Sequence, residues 1–404
     1  MAVGFEGLPQ LFPVRGFRIG IASAGIKKPG RRDVVVMELA AGSVCVGMFT
    51  RNAFCAAPVT VAKQYLAGSA PRYFLVNTGN ANAGTGRQGL IDAQQSCAEL
   101  ARLAGCSSTE VLPFSTGVIG EPLPLKKITA VLPQAIAALA EDNWADAAHG
   151  IMTTDTVPKG CSRRITLSRG EVTITGIAKG SGMIRPDMAT MLSYIATDAR
   201  IEQSLLQQVL DVAVGQSFNR ITVDGDTSTN DACMMVATGV SGVLVEADTA
   251  DIDLFRQAVI DICETLAQAI VRDGEGATKL ITIEVINGRD VQECEQVAFT
   301  IAHSPLVKTA FFASDPNWGR ILAAVGRAGV SGLDLEAITI HLGDVCIVRE
   351  GGRAPDYTEE RGAAVMAENE ITIRVDLVRG TASARVWTCD FSYDYVRINA
   401  EYRS

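Results

Sequence analysis

Short strand-like and helix-like segments alternate along the whole chain, and this alternation constrains the fold more than any other feature. Glu171–Ala178, Ile281–Ile286 and Ile371–Leu377 alternate apolar and polar residues with the period of two that a half-buried strand requires. Asp33–Ala40 and Tyr73–Val76 are continuous apolar runs of strand length. Helical faces lie between them. Asp92–Ala104 gathers Ala93, Cys97, Leu100, Ala101 and Ala104 on one side, and Glu202–Gln216 gathers Leu205, Val209, Val212 and Ala213. Ile252–Ile270 does the same with Ile252, Phe255, Val259, Ile262, Leu266 and Ile270. Interleaving of this kind predicts an α/β or α+β body of layered sheets. No repeat, low-complexity tract or Pro/Ser-rich linker interrupts the 404 residues. At about 150 residues per domain, the length suits two or three units or one large body.

Composition narrows the function. Hydrophobic residues make up 48% of the chain, enough for a sizeable core. Lys and Arg number 36 against 45 Asp and Glu, a net charge of −9. That balance argues against nucleic acid or an anionic membrane as partner, while leaving room for a local basic pocket for a small anion. None of the ten cysteines forms a CxxC, and Cys97, Cys263 and Cys346 lie in apolar or helical runs, so reduced core thiols are expected. The three histidines, His149, His303 and His341, form no close pair, and no metal site is predicted. The N-terminus carries Glu6, Pro9 and Pro13 without a basic region, unlike a signal peptide. No run of about 18 apolar residues is present. A cytoplasmic location is expected.

Five segments carry candidate chemistry. Gly84-Thr85-Gly86-Arg87-Gln88-Gly89 matches GxGxxG, but the insert Asn77–Ala83 separates it from the preceding strand. A dinucleotide fingerprint needs its first glycine in the turn itself, so a Gly/Asn turn with positive φ is the better reading. Lys179–Asp198 is a Gly- and Pro-marked loop that runs through Ala189-Thr190 into an apolar run. A hydroxyl after a small residue there could attack the preceding carbonyl, shift the acyl group to oxygen and, after hydrolysis, leave an N-terminal Thr. The new α-amine, with a pKa of about 8, would then serve as the base for its own hydroxyl. An ordinary Ala-Thr pair is the alternative. Thr116-Gly117 ends a strand-like run, either as an oxyanion-binding pair or as a plain strand–turn junction. Gly274 can end a helix, and Glu275 beside it is either a carboxylate for a cationic substrate or a solvated loop charge. Near the end, Trp387, Phe391, Tyr393, Tyr395, Val396 and Ile398 suggest a docked terminus.

Taken in order, NTGNANAGTG, STGVIGEPL, TTDTVPK, KGSGMIRPDMATMLSYIATDA, TVDGDTSTND, DGEGATK, ASDPNWGR and the terminal NAEYRS resemble the ornithine acetyltransferase family, the glutamate N-acetyltransferases of arginine biosynthesis. The resemblance runs from about Gly16 to Ser404. It implies a precursor that cuts itself between Ala189 and Thr190. An α chain of residues 1–189 and a β chain of residues 190–404 would then stay together as an α2β2 heterotetramer. The implied fold is a layered α/β sandwich resembling the N-terminal-nucleophile hydrolases but connected differently. The implied reaction moves acetyl from N2-acetyl-L-ornithine to Thr190 and then to L-glutamate, and some members also take acetyl from acetyl-CoA. No other cofactor is implied. Thr116 and Gly117 match the family's oxyanion pair. Thr153, Lys179, Thr190, Glu275, Asn399 and Ser404 match its substrate-binding positions. Many members end in Thr, and Ser404 keeps that hydroxyl. Lys179 and Glu275 supply one cation and one anion for a zwitterionic substrate. An aminopeptidase or amidase with the same kind of nucleophile, using water as acceptor, is the rival.

Overall fold

The computed structural model describes residues 2–185 and 191–401. The chain divides into two compact units, one of Gly7–Asn219 with Asp226–Ile270, the other of Met1–Glu6, Arg220–Gly225 and Val271–Ser404.

In the first unit one sheet joins β1 (Phe17–Ala22), β2 (Val34–Leu39), β4 (Tyr73–Asn80) and β5 (Val111–Val118) in that order, with β4 and β5 parallel. A second joins β3 (Val44–Phe49), β10 (Ala232–Ala237), β8 (Leu192–Thr197), β7 (Gly170–Lys179) and β6 (Lys159–Leu167). The short strands β9 (Arg200–Ile201) and β11 (Leu244–Val245) pair separately. Val35, Met37, Phe74, Val76 and Phe114 of the first sheet share a core with Ile177, Leu192, Tyr194 and Met234 of the second. Phe74, Phe114 and Tyr194 contact one another there at ring distances of 5.4–6.0 Å. Helices α1 (Ala57–Gly68) and α4 (Trp144–Gly150) add Ala62 and Trp144 to that core. On the first sheet's other face, Val34, Val36, Leu75 and Val111 meet Cys97 and Leu100 of α2 (Gly86–Ala104) and Ile128 and Leu132 of α3 (Leu125–Ala137). Burial on both faces is why Asp33–Ala40 reads as an unbroken apolar run. Against the second sheet lie α5 (Gln203–Gln216) and α6 (Ala250–Arg272). A Cβ on Gly176 of β7 would sit only 3.2 Å from Ile262 and Leu266 of α6. The unit is thus a layered sandwich of two sheets with helices on either side, as the interleaving predicts.

In the second unit a six-stranded sheet runs β15 (Gly352–Arg353), β14 (Val345–Arg349), β13 (Thr339–Leu342), β16 (Glu370–Asp376), β12 (Leu280–Gly288), β17 (Ala382–Cys389). Ile281, Ile283, Val285, Ile371, Ile373 and Val375 point inward to α7 (Val291–Ala302), α8 (Pro305–Phe312) and α9 (Trp318–Gly326). Glu284, on the opposite face, lies between Arg374 and Arg385 at 3.0 and 2.8 Å. The period-two pattern of β12 and β16 is therefore that of a sheet with one apolar face. Helices α10 (Glu359–Met366) and α11 (Tyr393–Ala400) complete the unit.

Several sequence expectations need correction. β4 continues through Asn77–Asn80, so most of the expected insert is strand, and α2 begins at Gly86 rather than Asp92. In α5 the buried face is Leu206, Val209, Leu210, Ala213 and Val214, while Val212 is 39% exposed. The segment LLQQVLDVAV holds two overlapping apolar stripes, and the sheet selects the other one. Near the C-terminus, Val396 is 66% exposed and does not anchor α11, whereas Tyr393, though 83% exposed, meets the Phe312 ring of α8 edge-on at 5.3 Å. All ten cysteines are free, eight of them buried. Among the described residues, no helix is long and apolar enough to cross a membrane.

Candidate active site

The parallel β4–β5 ladder buckles at its C-terminal end. Gly117 has φ +135° and Gly79 has φ +91°, and the register shifts between Gly79 and Asn80. A Cβ on Gly117 would come within 2.3 Å of the Gly79 carbonyl carbon. The position therefore demands glycine on both counts. Buried asparagines hold the buckle in place. Asn77 Nδ2 donates to Asn80 O at 2.9 Å, and Ser115 Oγ donates to Asn77 Oδ1 at 2.6 Å. Asn230 Nδ2 donates to the carbonyls of Ala81 and Ser115, at 2.6 and 2.9 Å. The expectation of a strand–turn junction at Thr116-Gly117 becomes a bulged strand end, a common setting for an active site. The GxGxxG stretch is the turn that enters α2, with Asn82, Gly84 and Gly86 at φ +46°, +70° and +58°.

Lys179 ends β7, and its Nζ donates to Thr116 Oγ1 at 3.1 Å. Thr153 is tied to the same place through Asp155, whose side chain is wholly buried. Asp155 Oδ2 accepts from the Thr153 N–H at 2.9 Å, and Oδ1 accepts from the Gly180 N–H at 2.7 Å and from Lys159 Nζ at 2.6 Å. Thr154 Oγ1 and Ser181 Oγ add a 2.7 Å hydrogen bond between the same two segments. Burial alone would raise the Asp155 carboxyl. The Lys159 and Lys179 charges and these hydrogen bonds outweigh it, and the group stays well below the usual carboxylate range. Thr116, Gly117, Thr153 and Lys179 thus form one cluster.

Asp231, just before β10, is also buried, but its carboxyl shifts in the opposite direction. Burial drives its carboxyl well above the usual range, opposed only in part by Ser228, the Lys179 charge and the Met191 N–H. Its Oδ2 has no hydrogen-bond partner among the described residues. Ala232 N donates to Met191 O at 3.0 Å, so this segment backs the residue that follows the predicted junction. Ala189 and Thr190 themselves lie outside the described residues, as does Ser404.

In the second unit Glu275 is 7% exposed, which removes the solvated-charge alternative. Asn399 Nδ2 of α11 donates to Glu275 Oε2 at 2.9 Å. The Glu275 loop is held rigidly. Asp390 accepts from the Thr278 and Lys279 N–H groups, both at 2.8 Å, and Ser392 Oγ donates to Gly276 O at 2.6 Å. Polar contacts and the Phe391–Tyr395 stack at 4.6 Å, rather than an apolar face, seat α11. Glu275 and Asn399 thus form a second group, within the second unit.

Sequence reasoning missed Asp155, Asp231, Asn230 and the buried asparagines as site residues. NTGNAN and TTDTVPK carried the signal, in polar residues too dense for ordinary turns.

The ArgJ family model matches residues 18–404. The arginine biosynthesis bifunctional protein ArgJ of Pseudomonas syringae pv. tomato is 60% identical over 406 residues, covering 100% of both chains. That of Methylococcus capsulatus is 59% identical over 396 residues, 98% of this chain and 97% of its own. The crystal structure of Arginine biosynthesis bifunctional protein argJ from Bacillus halodurans matches with a TM-score of 0.50 and 42% identity, covering 52% of this chain and 99% of that one.

Proposed function

The chain belongs to the ArgJ family, and on that premise we propose that it is a self-processing acetyltransferase of arginine biosynthesis, acting on N2-acetyl-L-ornithine and L-glutamate. In the precursor, Thr190 Oγ attacks the Ala189 carbonyl. The C–N bond breaks as the ester forms, and the hydroxyl proton passes to the leaving nitrogen. Water then hydrolyses the ester, giving an Ala189 carboxylate and a free Thr190 amine. In the mature enzyme that amine, with a pKa of about 8, takes the Thr190 hydroxyl proton. Thr190 Oγ attacks the acetyl carbonyl of acetylornithine, ornithine leaves with the proton, and glutamate takes the acetyl group by the reverse course. Thr116 Oγ and the Gly117 N–H receive the negative oxygen of each tetrahedral intermediate.

The observation that carries this reading is the 3.1 Å contact of Lys179 with Thr116 at the buckled end of β5. It puts a cation beside the hydroxyl in the oxyanion role. Lys179 is also the register partner of Leu192, two residues beyond Thr190. Thr153, Lys179, Glu275, Asn399 and Ser404 hold the substrate's charged ends. The α and β chains form a cytoplasmic α2β2 assembly with a layout like that of N-terminal-nucleophile hydrolases, and acetyl-CoA serves as a second donor.

Two measurements test this. Mass under denaturing conditions should give fragments of roughly 20 and roughly 23 kDa, the heavier beginning at Thr190. Release of ornithine from acetylornithine should depend on glutamate. One intact band from active enzyme would overturn the processing, and equal ornithine release without any amino-acid acceptor would favour an amidase.

A further inference from the structure

A basic loop stands next to this site. Between β1 and β2, Lys27, Lys28, Arg31 and Arg32 place four cations in six residues of a chain whose net charge is −9. Lys27, Lys28 and Arg32 are exposed. Despite that exposure, the loop is fastened from several sides. The buried Asp33 carboxylate accepts from the Ala24 and Ile26 N–H groups, both at 2.6 Å. Lys127 Nζ of α3 donates to Gly25 O at 2.8 Å and brings a fifth cation. Arg31 Nη2 donates to the carbonyls of Met152 and Thr153, at 2.6 and 3.1 Å.

Its position matters as much as its charge. A Cβ on Gly79 would lie 3.3 Å from Ile26 and from Lys27, so the loop rests on the glycine that backs Gly117. Through Arg31 it also holds the Thr153 segment. Its ends pair as Ala22 and Val34, so the tip reaches no more than about 18 Å from the sheet. Arg32 meets Asp146 in a surface ion pair that an anion can displace.

We propose that the Ser23–Arg32 loop docks the phosphorylated tail of a coenzyme A thioester. The inference rests on the reading that acetyl-CoA is a second donor at the same nucleophile. Acetylornithine carries no phosphate for these cations to engage. A coenzyme A thioester carries its phosphates at the end of a long pantetheine arm, and they need cations displaced from the reacting carbonyl. In the half-reaction Thr190 Oγ attacks the thioester carbon and the C–S bond breaks. The hydroxyl proton passes through the Thr190 amine to the departing sulfur, giving acetyl-threonine and free thiol. Glutamate then takes the acetyl group.

The test uses processed enzyme, a Lys27→Glu/Lys28→Glu variant and three donors. For acetyl-CoA, KM should rise by about tenfold or more, from the loss of two charge-assisted contacts. Acetylornithine, and acetyl-pantetheine, which keeps the thioester without the nucleotide phosphates, should keep their kcat/KM within about twofold. In the wild type, raising the salt from about 50 to about 500 mM should weaken acetyl-CoA more than acetyl-pantetheine. Unchanged acetyl-CoA kinetics in the variant, or equal losses for all three donors, would overturn the docking site. A wild type that uses acetylornithine but not acetyl-CoA would remove the ligand and the proposal with it, leaving the acetylornithine reaction intact.

Discussion

Asp155 and Asp231 are both fully buried, both lie within the electrostatic reach of Lys179, and their carboxyls are shifted in opposite directions. The donors around each decide the outcome. Asp155 has a buried ammonium and two backbone N–H groups aimed at it, so its charge is held. Asp231 has a hydroxyl, one N–H and a more remote charge, and one oxygen without a partner among the described residues. The carboxyl held low ties segments together, whereas the one pushed up stands beside the junction strand.

Removing the anchor should have the largest effect. Asp155→Ala strands Lys159 without its counter-charge, and a loss of about 3–5 kcal/mol is expected in denaturant unfolding. The double replacement Asp155→Leu/Lys159→Met sharpens the point. It should recover most of that stability while leaving transfer crippled, because the Thr153 and Gly180 N–H groups lose their shared acceptor. Recovery of both would mean that Asp155 serves only the core.

Thr116→Val should lower kcat by roughly 10²–10³-fold with little change in KM, the size expected for one oxyanion donor. A change confined to KM would give Thr116 a binding role. The pH dependence separates the two aspartates directly. Asp155, with its depressed folded pKa, contributes stability that is complete above about pH 3.9 and is lost as pH falls toward its folded value. Asp231, with its raised folded pKa, contributes most below about pH 3.9 and loses that contribution as pH rises through its folded value. Melting temperature against pH should therefore decline less on the alkaline side in Asp231→Asn than in the wild type. Parallel profiles would show that Asp231 is charged in the folded protein.

The smallest effect is expected at Glu275→Gln. Asn399 can still hydrogen-bond the amide, so stability should stay within about 0.5 kcal/mol while KM for the amino-acid substrates rises. A large loss of stability instead would make Glu275 a packing residue.

The sequence made some of this legible and hid the rest. The half-buried strands β12 and β16 and the extent of α6 could be read because periodicity reports which faces are buried. Thr116-Gly117 and Glu275 could be marked as candidates from their local setting, each beside a bland alternative, whereas Lys179 came forward only through the family resemblance. Asp155 could not be singled out. Its partner Gly180 meets it only because β6 and β7 pair with Lys159 opposite Ala178, and no local pattern encodes that register. Asp231 was hidden for a similar reason, since the upward shift of its carboxyl depends on burial. The face of α5 was misread because two apolar stripes overlap and only the sheet distinguishes them. The C-terminal helix was expected to dock by its aromatics; Tyr393 meets Phe312 and Lys308 lies over Phe391, while the hydrogen bonds of Ser392 and Asn399 went unforeseen.

The second sheet of the first unit takes β3, β6 and β7 from before residue 190 and β8 and β10 from after it, with β8 between β7 and β10. Neither prospective fragment contains the whole of that five-stranded sheet. The proposed cut at Ala189–Thr190 would leave two fragments that share this sheet. On that proposal, the strands that flank the nucleophile would come from both fragments, so neither piece alone could frame it.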